Sequence, residues 1–300
     1  MSDQSDLLTQ FSTALTKRVT EAKTAIAAIR LPEGRHLTGM LWRPDAIVTS
    51  DQSLTKRDEF EVVTAGGSTA NAKVAGRDPG TNIAVLKLPQ PVSSGSIIPS
   101  DAQVGALALA IGADAHGAAS ARMGVVNAVG PEWYSSHGGR IDRRIVLDIN
   151  LSRSEEGGPI FDAAGGFFGM STFGPRGQVL VIPAATIERI VPSLLKDGRI
   201  ARGWLGAALR PVAVPEALGD AAGQSSGLMV MSLTDGGPAA TAGIVAGDII
   251  LSVDGASTRR MRNITARLGA DSIGRKVDLR FIRSGAVASR QATITERPSS

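Results

Sequence analysis

Short apolar segments separated by clusters of Gly, Pro, Asp and Ser dominate residues 36–192. Short strands at this spacing, bounded by turn residues, are typical of an antiparallel barrel or sandwich. The segments that we predict to be strands are AIVTS (46–50), EFEVVTA (59–65), IAVLKL (83–88), ALALAIG (106–112), RIVLDIN (144–150) and QVLVIP (178–183).

Two stretches have the spacing of helices instead. Residues 5–29 carry apolar side chains, among them Leu7, Phe11 and Leu15, at intervals near three and four, which predicts an amphipathic helix. We expect this helix to pack on its own domain, and an oligomer contact is the alternative. Residues 185–200 predict a second helix, with Gly198 as its C-terminal cap.

The last hundred residues form a separate pattern, in which predicted strands alternate with short helices. We therefore divide the chain into an N-terminal helical segment (1–30), a β-rich domain (31–200) and a mixed α+β domain (201–300). In the last of these, the predicted strands are 227–233, 248–255 and 276–285, and the predicted helices are 237–243 and 260–269.

Composition narrows the class of protein. Hydrophobic residues at 43% and charged residues at 20% are ordinary for a soluble globular protein, and the absence of cysteine excludes disulfides and thiol catalysis. The net charge of +4 comes entirely from residues 201–300, where Arg259, Arg260, Arg262 and Arg267 are the densest basic group. We interpret that group as a solvated basic face, with steering of acidic peptides as the alternative, and we expect no nucleic-acid partner.

The sequence predicts no membrane partner and no exported protein as written. No apolar run approaches the roughly 20 residues of a membrane span. The first residues, MSDQSDLL, are acidic where a signal peptide needs a basic segment. We therefore expect a cytoplasmic protein, or a periplasmic one if a leader has been removed.

Several longer motifs resemble the HtrA/DegP family of trypsin-like serine proteases. TGMLWRPDAIVTSDQSL (38–54), GRDPGTNIAVLKL (76–88) and LDINLSRSEEGGPIFDAAGGFFGMST (147–172) resemble the segments that carry the family's catalytic triad. RGWLGAAL (202–209) and TDGGPAATAGIVAGDIILSVDG (234–255) resemble the family's PDZ domain. The resemblance implies a mainly β fold, a trypsin-like double six-stranded β-barrel followed by an α+β PDZ domain.

At the three positions that the resemblance assigns to the triad, this chain has other residues. Gln52 stands at the histidine position, Asn82 at the aspartate position and Glu156 at the serine position. An amide is no general base at neutral pH, and a carboxylate repels a developing oxyanion. We therefore predict a catalytically inactive scaffold or regulatory subunit, a pseudoprotease, that is not an enzyme and has no cofactor. Because no calcium-loop pattern is present, Glu155 and Glu156 predict a solvated acidic loop, or a pair tethered to Arg153 or a nearby lysine, and no metal site.

The alternative is an active serine endopeptidase with a rearranged catalytic site. Such a site could use Ser154 or Ser152 together with His137. The other two histidines, His36 and His116, are predicted to be surface residues outside the histidine-loop segment.

The PDZ resemblance implies a peptide-binding site. PDZ domains add a peptide strand to a sheet edge and hold its terminal carboxylate in a Gly-containing loop. We expect a peptide with an apolar last residue to bind, and Leu205→Glu to weaken binding. The expected loop residues are Gly203, Trp204, Leu205 and Gly206, and the expected pocket is lined by Leu205, Ile264 and Leu268.

The partners that follow from this prediction are peptides or proteins with an accessible C-terminus. An active HtrA-like protease is a further candidate, with this chain as its regulatory subunit. The family resemblance also implies a homo-oligomer, with a trimer formed through the N-terminal segment around Phe11 as one arrangement.

Overall fold

The structure is a computed structural model that describes residues 2–95, 97–259, 264 and 267–298. It has two compact units: unit 1 comprises Met1–Trp133 and Arg140–Ile200, and unit 2 comprises Tyr134–Gly139 and Ala201–Ser300. Most of the predicted helix 260–269, including the basic residues Arg260 and Arg262, lies outside the described residues. In the described part of the chain, no helix has the length and apolar character needed to cross a membrane.

The first barrel of unit 1 follows the N-terminal helix and closes in the strand order β1-β2-β3-β6-β5-β4. Every neighbouring pair whose register is resolved is antiparallel. The elements are α1 (Ser2–Ala22), β1 (Ile26–Arg30), β2 (His36–Arg43), β3 (Ala46–Ser50), β4 (Glu59–Thr64), β5 (Thr69–Asp78) and β6 (Ile83–Lys87).

The second barrel closes in the order β11-β14-β13-β12-β7-β8 and is followed by a helix. The predicted double six-stranded β-barrel is thereby confirmed. The elements are β7 (Leu107–Ala113), β8 (Ala119–Gly130), β9 (Trp133–Tyr134), β10 (Arg140–Ile141), β11 (Arg144–Asp148), β12 (Pro159–Phe161), β13 (Phe167–Phe173), β14 (Val179–Pro183) and α2 (Ala184–Asp197).

Strand β1 shows why the sequences of some barrel strands are continuously apolar. Ala27 and Ile29 belong to the core inside the first barrel, whereas Ile26 and Ala28 belong to a second core that includes residues of both barrels. Successive side chains of a strand point to opposite faces, so a strand with a core on each face loses its polar alternation. The predicted helix 5–29 therefore ends early: α1 stops at Ala22, and the apolar run after it is β1.

Helix α2 returns from the second barrel and contacts the first. Its residues Ile187, Ile190, Val191 and Leu194 are buried in the core that the barrels share. Gly198 caps the helix with φ 71°, as predicted, and its carbonyl accepts a hydrogen bond from the Arg77 amide at 3.2 Å. The close approach requires a glycine at position 76, since a Cβ there would lie 2.7 Å from the Gly198 and Leu194 carbonyl oxygens.

Unit 2 is a mixed α+β fold around a sheet in the order β16-β17-β18-β20-β21, with β19 paired to β18. Strand β16 is at the edge, because its resolved pairing is with β17 alone. The elements are β15 (Gly203–Trp204), β16 (Ala207–Ala213), α3 (Gly219–Ala222), β17 (Ser226–Leu233), α4 (Pro238–Thr241), β18 (Ile249–Val253), β19 (Ala256–Ser257), β20 (Lys276–Arg283), β21 (Ala286–Thr293) and β22 (Thr295–Glu296).

Candidate functional site

Gln52, Asn82 and Glu156 lie together in unit 1, although they are far apart in the sequence. Gln52 is in the 3-10 turn after β3, and Asn82 immediately precedes β6. The Asn82 side-chain oxygen accepts a hydrogen bond from the backbone amide of Gln52 at 2.7 Å. The Gln52 side-chain nitrogen donates to the Glu156 carboxylate at 2.6 Å. The three predicted positions thus form one connected group, while their assignment to triad roles stays a prediction.

The Glu156 carboxylate is completely buried and is the acceptor at the centre of this group. Besides Gln52, it accepts hydrogen bonds from the hydroxyls of Ser50 at 2.8 Å and Thr172 at 2.9 Å, and from the Ser53 hydroxyl. The donors come from the first barrel and from β13 of the second. A buried charge is tolerated only when its oxygens are hydrogen-bonded, and several neutral donors here meet that need.

Asn82 supports the same group from an unusual backbone conformation. Its φ of 59° is in the left-handed region, which asparagine tolerates better than most residues. Its side-chain nitrogen donates to the Thr172 hydroxyl at 2.7 Å and to the Ser50 hydroxyl at 2.9 Å. The amide therefore orients two of the hydroxyls that donate to the Glu156 carboxylate.

The neighbouring Glu155 has a separate set of partners. Its two carboxylate oxygens accept hydrogen bonds from the Arg122 guanidinium at 3.0 and 3.1 Å, and one accepts from the Ser152 amide at 2.7 Å. Burial raises the pKa of Glu155, but the Ser152 amide, the Arg122 guanidinium and the Ser120 hydroxyl lower it further, so its pKa lies below the ordinary value. The interpretation of Glu155 and Glu156 as a solvated loop differs from the structure, because both carboxylates are buried.

Arg153, predicted as a partner of these carboxylates, instead lies over an aromatic ring. Its guanidinium carbon is 5.1 Å from the centre of the Phe173 ring, a cation–π arrangement. Arg153 lies in the 3-10 turn Arg153–Glu155. A capping box between Ser152 and Glu155 stabilises the N-terminus of this turn.

A cleft of about 740 Å³ opens beside this group. Two segments that are distant in sequence, 31–37 and 153–154, contribute to its walls together with the turn after β3. The lining residues are Leu31, Gly34, Arg35, His36, Leu37, Gln52, Ser53, Arg153 and Ser154.

The cleft is lined by Ser154, one of the two predicted serines, and by a different histidine from the predicted His137. Ser154 lines it with His36, which begins β2 and which we predicted to be a surface residue apart from the site. His137 belongs to unit 2, where its ring nitrogen Nδ1 lies 3.4 Å from the Ser136 hydroxyl. The sequence contains no short-range signal for the His36–Ser154 arrangement, because 118 positions of chain fold between the two residues.

The predicted loop of unit 2 has well-defined backbone contacts. Gly203 pairs with Glu296 and donates to the Leu268 carbonyl at 3.0 Å, and a Cβ at Gly203 would lie 2.1 Å from the Ser272 hydroxyl. Gly206 has φ 73°, so its glycine is required by the backbone. The half-buried Trp204 lies two positions before Gly206 in the chain.

Of the three residues that we predicted to line the peptide pocket, two are buried in the core of unit 2 and one is partly exposed. Leu205 is 4% exposed and Ile264 is 3% exposed, and both belong to the hydrophobic core of unit 2. Leu268 packs against that core and is partly exposed. Leu205→Glu would therefore place a carboxylate in the core, and loss of folding would hide any effect on binding.

Comparison with known proteins identifies both units. Residues 37–170 match the family described as "Trypsin-like peptidase domain", and residues 203–294 match "PDZ domain". The protein named "Probable periplasmic serine endoprotease DegP-like" from Brucella suis is 30% identical over 262 residues, 84% of this chain and 50% of its own length. Its namesake from Bartonella henselae is 33% identical over 250 residues, 80% of this chain and 48% of its own length. The chain thus spans about half the length of these relatives.

Solved structures show the same fold. The HtrA-type protease AlgW with a bound decapeptide has a TM-score of 0.73 at 22% identity and covers 94% of this chain and 98% of its own. The serine endoprotease from Yersinia pestis has a TM-score of 0.71 at 23% identity, with coverages of 94% and 98%.

These comparisons contradict one prediction. The relatives are named serine endoproteases, so the prediction that this chain is not an enzyme is wrong. The physical reason is that Gln52, Asn82 and Glu156 bear only on a hydroxyl–imidazole route through those three positions, and the cleft beside them holds other hydroxyls and an imidazole. The chain thus has a trypsin-like peptidase domain, matched over residues 37–170, followed by a PDZ domain, matched over residues 203–294, and is similar over both to proteins named DegP-like serine endoproteases.

Proposed function

We propose that this protein binds the C-terminal segment of peptides or unfolded proteins through its PDZ domain. The observation that carries the proposal is the free edge of β16 directly after the Leu205–Gly206 loop. A peptide that pairs with such an edge gains main-chain hydrogen bonds, and its terminal carboxylate is held by the loop amides.

The backbone contacts of the loop support this proposal. Its carbonyls face inward: the Leu205 carbonyl accepts from the Ala239 amide at 2.9 Å, and the Gly206 carbonyl accepts from the Thr234 amide at 2.9 Å. Within the described residues, the Leu205 and Gly206 amides donate to no protein acceptor. A ligand carboxylate would satisfy them.

The sequence of β16 limits how far a peptide can pair. Proline has no amide hydrogen, and in sheets it is confined to edge strands with that side away from the ladder. Pro211 lies in the middle of β16 (Ala207–Ala213). We therefore expect the ligand to pair with residues 207–210, which corresponds to its last few residues.

A pair of peptides tests the proposal. A fluorescent hexapeptide with an apolar last residue is titrated as the free acid and as the C-terminal amide. The free acid should bind saturably, and the amide at least about tenfold more weakly, because it loses the charge-assisted hydrogen bonds. Leu268→Ala should weaken binding severalfold. Leu218, a partly buried leucine that packs against a different hydrophobic cluster, serves as the control, and Leu218→Ala should leave binding unchanged. Failure of a C-terminal peptide library to bind would refute the proposal.

Peptide-bond hydrolysis by a rearranged site in a periplasmic protein is the second candidate function. The relatives named as periplasmic serine endoproteases support it, and so does the cleft that holds Ser154 with His36. The Ser154 hydroxyl would attack the peptide carbonyl while the His36 imidazole takes its proton; the imidazole would return that proton to the amine as the C–N bond breaks, and water would then hydrolyse the acyl ester on Ser154.

The test is turnover by the purified full chain on casein and on a fluorogenic peptide library. Ser154→Ala and His36→Gln should each abolish turnover and labelling by a fluorophosphonate. Ser136→Ala, an exposed serine of the other unit, should leave both unchanged. Turnover that survives Ser154→Ala, or no turnover by the parent chain, would exclude this site.

A further inference from the structure

The cleft of unit 1 is lined by cationic side chains and by no carboxylate. Two guanidiniums, of Arg35 and Arg153, and the imidazole of His36 line it, together with polar and apolar groups. The Glu156 carboxylate beside the cleft is completely buried and accepts hydrogen bonds from Ser50, Gln52 and Thr172. The positive charge of the lining thus comes from the two guanidiniums, and the Glu33 carboxylate that lies 3.9 Å from Arg35 is outside the lining.

Arg153 is held in place before any ligand arrives. Its guanidinium lies over the Phe173 ring, and the backbone that carries it is fixed by the capping box between Ser152 and Glu155. The Ser154 carbonyl also accepts a hydrogen bond from the Thr38 hydroxyl at 2.7 Å. A guanidinium stacked on a ring keeps its N–H donors free in the ring plane, and less side-chain entropy is lost when it binds an anion.

Among the residues that the structure describes, the Arg35 guanidinium has one weak ionic partner. Its guanidinium nitrogen is 3.9 Å from a Glu33 carboxylate oxygen, and the two side chains are 60% and 82% exposed. Such an exposed pair contributes little, so a ligand carboxylate can replace Glu33 at small cost.

We propose that this cleft binds an extended peptide segment through an acidic side chain, aspartate or glutamate, whose carboxylate is bound by the guanidiniums of Arg35 and Arg153. The inference takes the cleft as a peptide-binding surface, as in the second candidate function, but needs no hydrolysis and no ligand on the PDZ domain.

The shape of the cleft favours a peptide over a small anion. Its volume of about 740 Å³ is in the range of sites for drug-sized ligands, which is far larger than one ion needs. Leu31 and Leu37 supply apolar wall, and Ser53 and Gln52 supply polar wall. A carboxylate matches the planar donor fork of a guanidinium, and neighbouring peptide residues would cover the apolar part.

The experiment uses peptides that the PDZ loop cannot hold. Two N-acetylated, C-amidated decapeptides of alternating Ala, Val and Ser differ only in a central Glu or Gln, and binding to the full chain is followed by fluorescence anisotropy. The Glu peptide should bind about tenfold more tightly than the Gln peptide at low salt, and the difference should shrink at high salt. Mass spectrometry of the recovered peptide checks that it stays intact.

Variants assign the effect to the cleft. The double variant Arg35→Gln/Arg153→Gln should remove the Glu-over-Gln preference, Arg153→Lys should keep part of it, and Arg43→Gln, an exposed arginine outside the lining, should leave it unchanged. Equal binding of the two peptides, no binding of the Glu peptide, or a preference that survives the double variant would each overturn the inference. Inorganic phosphate that competes as well as the Glu peptide would also overturn it, since the site would then be a simple anion site. Binding of a free-acid peptide in the same preparation would show that the PDZ proposal stands independently.

Discussion

Glu156→Ala is predicted to destabilise unit 1 by about 3–5 kcal/mol. Without the carboxylate, the Ser50 hydroxyl keeps the Asn82 oxygen as an acceptor at 3.2 Å, and the Gln52 side-chain nitrogen keeps the Phe173 carbonyl at 3.0 Å. Ser53 and Thr172 lose the only acceptor of their hydroxyls among the described contacts. A buried donor left without an acceptor costs about 1–3 kcal/mol, and the lost Cγ methylene costs about 0.8 kcal/mol.

Glu156→Gln is the informative comparison. It keeps the side-chain volume and one acceptor oxygen but replaces the other oxygen with an NH2 donor, which the Ser53 hydroxyl must then accept from. The loss of the charge-assisted part of the hydrogen bonds should cost about 1–2 kcal/mol. The order of stability should therefore be parent, then Glu156→Gln, then Glu156→Ala. Glu132→Ala, which removes an exposed carboxylate of the same unit, should change the free energy of unfolding by less than about 0.5 kcal/mol.

The assay is urea unfolding followed by tryptophan fluorescence in a Trp204→Phe background. The remaining tryptophans, Trp42 and Trp133, both belong to unit 1, and the Trp42 ring lies 6.0 Å from the Phe167 ring in the core that the barrels share. The midpoint should fall while the dependence on urea concentration stays constant. If Glu156→Ala is as stable as the parent, or more stable than Glu156→Gln, the reasoning from unsatisfied donors is refuted.

Two further predictions concern neighbouring residues. Gly157→Ala should lower the thermal midpoint of unit 1 strongly, because Gly157 has φ 86° and an added Cβ would lie 2.3 Å from the Thr38 carbonyl oxygen. The control is Gly177→Ala, at φ 75° with no atom within 4 Å of the added Cβ, which should cost only about 1 kcal/mol of stability. Equal losses of stability in the two variants would contradict the steric argument. Arg122→Gln should cost about 1 kcal/mol or less at pH 7, since Arg122 is 47% exposed and screened. The folded-state pKa of Glu155 lies below its ordinary value of 4.5. The stability lost in Arg122→Gln should therefore be fully present above pH 4.5 and should disappear as the pH falls through the folded-state pKa. Urea midpoints of the two proteins that differ by a constant amount from pH 7 to pH 3 would contradict this expectation.

Much of the fold follows from local pattern. The prediction of a strand at 46–50 coincides with β3, and the predictions at 59–65 and 83–88 differ from β4 and β6 by one residue at the C-terminal end. These strands are bounded by turn residues on both sides, which fixes their ends. The start of β1 has no such signal, because the apolar run at its start continues the pattern of α1 and nothing local separates the two.

The candidate site shows the opposite case. The chemical types at positions 52, 82 and 156 are readable in the sequence, but the burial of Glu156 is not. Its donors Ser50 and Thr172 are 122 positions apart, and hydroxyl residues at such positions carry no pattern. Leu205 was likewise identifiable as part of a loop motif, while its place in the core follows only from the packing of unit 2.

The return of α2 to the first barrel sets the order in which unit 1 can mature during synthesis. The face of β1 that carries Ile26 and Ala28 is not fully covered until residues 184–198 have left the ribosome, because α2 supplies Ile187, Ile190, Val191 and Leu194 to the core on that side. A nascent chain that stops before Ala184 leaves this apolar surface open to chaperones and to aggregation. Dissection of the protein for expression must therefore keep residues up to Ile200 with the barrels, and a cut placed at the end of β14 should yield insoluble material.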